Sequence, residues 1–166
     1  MVQQAYPLKQ VLEVKIRRVE EAEKVVSEKK AALEAEKEKL KQREEEKEKA
    51  VNHHLAKLTQ LRQCLDEGTT TDKIMQMKAY LKVAKERVKM EEKKVKDQQD
   101  QVEIAQKNLT EAQNNLRLRR QEVDKLESHR KDWLKELKRE EEIVEGREQD
   151  EIGTIVFSSR KRLYGE

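Results

Sequence analysis

An all-α fold, a long antiparallel two-helix coiled-coil hairpin, is what this sequence predicts, and three observations predict it. Charged residues make up 44% of the 166-residue chain and hydrophobic ones 34%, with one proline, four glycines and five aromatics. Apolar side chains recur every seven residues along two segments. A single cluster of turn-forming residues separates the segments. A globular domain carries about half apolar and about a quarter charged residues, so this chain lacks the apolar mass for a layered core around a pocket. A disordered polyampholyte could share the composition, but disorder does not repeat every seven residues. The same shortage argues against an enzyme, because catalysis needs a dry concave site with convergent groups.

Helix 1 is expected over about residues 8–65. Pro7 stands just before the first periodic residue, Leu8, at the end of a helix where proline is tolerated. One ladder runs through Leu12, Val19, Val26, Leu33, Leu40, Lys47, His54 and Leu61, and six of these eight are apolar. The expected companions, four residues on, are Ile16, Glu23, Lys30, Lys37, Glu44, Val51, Leu58 and Leu65, apolar only at the ends. The middle of helix 1 is thus a thin stripe.

Residues 66–71, Asp66-Glu67-Gly68-Thr69-Thr70-Thr71, form the turn. Gly68 suits a left-handed helix terminus, the threonines suit the next N-cap, and Asp72 favours a first turn.

Helix 2 is expected over about 72–148. Its ladder, from Ile74 through Leu109 and Leu116 to Val144, is apolar at ten of eleven positions, Arg130 being the exception. The companions lie three residues on, among them Met77, Ala84, Glu91, Gln98, Ala105, Ala112, Leu126 and Trp133. A strict period of seven specifies a left-handed supercoil. Two helices joined by so short a loop run antiparallel. Leu12 then falls near Leu126, and from about Arg130 onward helix 2 has no partner except residues 1–7 or another molecule. After Gly146 and Gly153 the pattern fades. Residues 149–166 are expected as a short C-terminal tail, its order left open. The whole chain reads as a single coiled-coil hairpin, residues 1–166.

Charge excludes several roles. Lys and Arg total 38 against 35 Asp and Glu, and residues 1–71, 72–148 and 149–166 are each near balance, with 15 against 14, 20 against 18, and three against three. A nucleic-acid binder would show a one-sided basic face, so no nucleic-acid partner is expected. No run of 18 apolar residues exists, so no membrane insertion is expected. No secretory signal is visible in Met1–Leu8. The lone Cys64 cannot form an internal disulfide, and a reducing, cytoplasmic location follows.

No catalytic, metal or cofactor site is expected. Neighbouring His53 and His54 point about 100° apart on a helix and cannot share an ion. His129 stands alone, and the four isolated glycines build no phosphate-binding loop. Cys64 reads as a plain helical thiol near the turn. Met75, Met77 and Met90 read mainly as packing. The candidate partner-binding residues are Trp133, Leu137, Ile152, Ile155, Val156 and Phe157. Trp133 either staples residues 1–7 or anchors a partner, and the Ile152–Phe157 cluster either folds back on the coil or docks elsewhere. Arg160-Lys161-Arg162, beside them, reads as solubilising.

Several stretches carry a family resemblance: Tyr6-Pro7-Leu8, then Val11-Leu12-x-Val14-Lys15, the turn Leu65-Asp66-Glu67-Gly68-Thr69-Thr70, the run Met75-x-Met77-Lys78-Ala79-Tyr80-Leu81, and Glu148-Gln149-Asp150-Glu151. The layout resembles the YscO-type proteins of bacterial type III secretion over about residues 6–157. It is most similar to their chlamydial branch, which is related in role to flagellar FliJ. The resemblance implies a non-enzymatic, stalk-like partner of the export ATPase that escorts substrate chaperones and contacts the export gate protein. It also implies a component that is cytoplasmic and peripheral to the secretion apparatus, with secretion of a fraction left open; apart from the resemblance, a monomer is expected. The structural alternative is a passive coiled-coil spacer or scaffold, for which the hairpin alone would suffice.

Overall fold

The computed structural model describes residues 5–163. Two helices account for nearly all of them: α1, Lys9–Glu67, and α2, Thr71–Leu163. They pack against each other as a helical hairpin, and the described residues contain no strand.

The helix ends follow from local chemistry. The amide of Lys9 donates to the Tyr6 carbonyl at 3.1 Å and that of Leu12 to Leu8 at 2.9 Å, so the Tyr6-Pro7-Leu8 turn opens α1. Gly68 closes it at φ +82°. That left-handed conformation is open to glycine and strained for residues with a Cβ. Two residues later the carbonyl of Thr70 accepts from the Ile74 amide at 3.1 Å, and Asp72 sits in the first turn of α2, where its charge suits the helix N-terminus.

The chain divides into two compact units. One spans Glu21–Leu116, the part of the hairpin that includes the turn. Its buried apolar residues are Ala22, Leu33, Ala50, Leu61, Ala84, Val95 and Leu109, each at most 8% exposed. Both ladders of α2 face inward here as expected. On α1 the second track differs from the expectation. It lies three residues after the first, through Ala22, Glu36, Arg43, Ala50, Lys57 and Cys64, while Leu65 is exposed. Alanines allow close approach, and Arg43 and Lys57 are half-buried on the seam while their charged ends meet Glu46 at 3.0 Å and Gln60 at 3.3 Å. Val51 and Leu58 are half-buried beside it.

Polar seam contacts fix the register. The Gln98 amide donates to the Glu36 carboxylate and, at 3.1 Å, to the Glu36 carbonyl. Glu91 is buried, with Lys94 on one oxygen at 3.0 Å, and its Oε2 has no hydrogen-bond partner.

The other unit joins the described residues up to Glu20 with those from Arg117 onward. Here Tyr6 and Leu12 are buried, and Val19, Val123, Leu126, Trp133 and Leu137 are half-buried. α2 does not end near residue 148. It continues through both glycines to Leu163, in place of the expected tail. No proline interrupts this stretch, and an exposed helical glycine costs only about 1 kcal/mol relative to alanine.

Candidate partner-binding end

In the unit that carries the chain ends, Tyr6 is held by the turn that starts α1, and the residue is 7% exposed. Its ring centroid lies 5.5 Å from that of Trp133, with the planes tilted by 58°, and 5.9 Å from that of His129. The Tyr6 hydroxyl is 2.8 Å from His129 Nδ1 and 3.4 Å from the Leu126 carbonyl oxygen. A neutral imidazole with its proton on Nδ1 satisfies both contacts: the ring donates to the hydroxyl, and the hydroxyl donates to the carbonyl. Trp133 thus packs on the segment before α1.

Further along the pair, Lys15 Nζ donates to Glu122 Oε2 at 2.7 Å, and Arg119 approaches the same oxygen at 3.5 Å. The Lys15 hydrogen bond holds the Glu122 carboxyl below its ordinary range, and the charges of Lys15 and Arg119 add to this. Leu137 borders an open groove shared with Leu12, Ile16, Arg130, Trp133 and Leu134. Residues 5–16 thus cover part of the stretch expected to be bare.

Past Leu137 the covering stops. Every described side chain from Lys138 to Leu163 is exposed. Ile152, Ile155, Val156 and Phe157 are 47–71% exposed, and none folds back on the coil. The six predicted residues therefore fall into two groups, Trp133 and Leu137 against the start of α1 and the other four on bare helix. Leu163, at 79%, belongs with the bare group and lies outside the predicted set, because a segment read as a tail has no face. Its spacing from Ile152 and Val156 is the signal that could have found it.

A second exposed apolar face lies in the turn-containing unit. Met75, Val83 and Met90 are each more than 60% exposed, and residues 73–90 carry six Lys or Arg against Glu86 alone. Of these methionines and Met77, only Met77 packs inward. Nearby, His53 Nε2 is 2.9 Å from the Tyr80 hydroxyl, and Lys57 Nζ lies 5.5 Å from the Tyr80 ring centroid. Among the described residues no three His, Cys, Asp or Glu side chains are placed to hold a metal ion, and no helix is long and apolar enough to cross a membrane.

The described residues thus form a hairpin of two long helices with polar seam contacts and a bare terminal stretch. The family model for YscO-like proteins matches residues 3–163, and the chain belongs to that family. It is thereby a type III secretion component. Among solved structures it is similar to that of a proposed YscO homolog, CT670, from Chlamydia trachomatis. That match has 45% identity and a TM-score of 0.89, covering 96% of this chain and 99% of the other. A second similar chain comes from the Chlamydia pneumoniae CdsV and CdsO protein complex, at 45% identity and TM-score 0.47, over 51% of this chain and 98% of its own length. Comparison with curated proteins gives no match.

Proposed function

We propose that this chain is a stalk-like partner of the export ATPase, cytoplasmic and monomeric, that engages the ATPase through the end of α2 and escorts substrate chaperones to it. The observation that carries this reading is the run of exposed apolar side chains on bare helix, Ile152, Ile155, Val156, Phe157 and Leu163. Apolar groups gathered at one place on a solvated helix mark a binding surface. Trp133 and Leu137, at the edge of the groove beside Tyr6, extend that surface toward the start of α1.

Family membership supports the secretion setting, and the resemblance to stalk-like proteins supports the ATPase as occupant. The second face, Met75, Val83 and Met90 with its surrounding lysines, is assigned to the export gate protein, a separate contact in the other unit. Methionines adapt to irregular surfaces, and the excess of positive charge suits an acidic partner.

Adding the intact chain to purified export ATPase tests the reading. The proposed partner changes turnover in a saturable way, whereas a passive spacer leaves the rate unchanged at every concentration. Phe157→Ala weakens the effect with helicity nearly unchanged, and an aromatic anchor of this kind contributes about 2 kcal/mol or more.

A further inference from the structure

The terminal stretch of α2 is divided sharply by charge. Residues 140–151 carry seven Asp or Glu and one basic residue, Arg147. Residues 152–163 carry no acidic residue and three basic ones, Arg160, Lys161 and Arg162. All of these side chains are exposed.

The polar hydroxyls of the second zone are already used. The Thr154 hydroxyl donates to the Asp150 carbonyl at 2.8 Å, and those of Ser158 and Ser159 to the Ile155 carbonyl at 2.9 and 2.7 Å. Between Glu151 and Arg160, therefore, the helix offers a partner no charged side chain, no free hydroxyl donor and four large apolar groups.

Helix geometry sets its shape. At about 100° per residue, Ile152, Val156 and Leu163 share one line, Ile155 falls about 60° to one side, and Phe157 about 140° to the other. The apolar groups wrap more than half of the helix circumference. A flat surface reaches one side of a helix only. A membrane is disfavoured for a second reason: α2 is unbroken, so an anionic lipid surface that drew in Arg160–Arg162 would also meet the seven carboxylates that precede them.

We infer that residues 152–163 seat in a concave protein socket that is apolar inside and acidic where it meets Arg160, Lys161 and Arg162, and that basic groups of the same partner meet the acidic zone 140–151. The inference rests on the reading of this end as the export-ATPase contact, and it specifies what that contact surface is made of. Two zones of opposite sign also fix the depth and direction of entry, because sliding by about one zone sets like charges against each other.

The test measures affinity of the full chain for purified export ATPase at low and at physiological ionic strength. The variants are R160E/K161E/R162E, E145K/E148K/E151K and F157A, with helicity checked by circular dichroism and binding to vesicles of phosphatidylcholine and phosphatidylserine run in parallel. Each charge-reversed variant is expected to bind at least about ten-fold more weakly at low salt and to lose most of the parent's salt dependence. F157A is expected to lose affinity at both ionic strengths alike. If F157A binds weakly while both charge reversals bind as the parent does, the two-zone socket is wrong and the apolar contact stands. If the parent binds vesicles and not the ATPase, or F157A and the reversals all bind ATPase as the parent does, the assignment of this end falls and the socket with it.

Discussion

Tyr6, His129 and Trp133 form the most specific side-chain cluster of the unit that carries the chain ends, and Trp133 is the chain's single tryptophan. Tyr6→Ala removes the ring that covers the indole, so Trp133 emission should shift to the red without loss of helicity. Tyr6→Phe keeps the ring and should leave the emission close to that of the parent. Glu91 makes the opposite case. It is a buried carboxylate with one oxygen unpartnered on a seam otherwise filled by Ala84 and Val95. Glu91→Leu should stabilise the protein by about 1 kcal/mol, read from the midpoint of urea unfolding, because an unsatisfied polar atom leaves the seam and an apolar side chain packs in its place. The Lys15–Glu122 pair sets a pH dependence. A carboxyl held below its ordinary value in the folded state binds protons less readily there than when unfolded. Its contribution is present above the ordinary glutamate range and is lost as pH falls through the lowered folded value. Thermal melts of Glu122→Gln should therefore converge with those of the parent as pH falls through that range.

The elements are legible to different degrees, for physical reasons. Both helices and the turn can be read from a seven-residue repeat broken once, at Gly68, whose left-handed conformation the turn requires. Gly68→Ala should cost about 1 kcal/mol for that reason, read from the same urea midpoint. The α2 seam is legible as far as Leu137 because its apolar ladder is almost unbroken, whereas Val144, on the same ladder, is exposed. Helix 1 is less so, because its second track carries Glu36, Arg43 and Lys57, residues that contribute aliphatic stems to a seam while reading as surface. The end of α2 is not legible. Periodicity reports packing, and where packing stops past Leu137 the helix continues without it. Likewise the two fates of Trp133 cannot be separated by spacing, since Tyr6 reaches it from a segment outside the repeat. Leu109→Asp should cost about 3 kcal/mol or more, placing a charge against apolar neighbours, while Glu45→Gln on the exposed face stays within about 0.5 kcal/mol.

At the scale of the whole molecule, labour divides between what is packed and what is bare. Packed seams, with polar contacts such as Gln98 to Glu36 and Lys15 to Glu122, set the register of the two helices. The bare stretch from Lys138 to Leu163 contributes little to that packing and holds the densest exposed apolar groups. Its removal should therefore leave the fold intact and abolish the contact. The most direct measurement is export-ATPase turnover titrated with the full chain and with a chain truncated after residue 148. The expected result is a saturable change in rate with the full chain, none with the truncated one, and comparable helicity per residue in both. A truncated chain that changed the rate as fully as the intact one, with substitutions in Asp66–Thr71 abolishing the effect instead, would contradict the assignment of the working end.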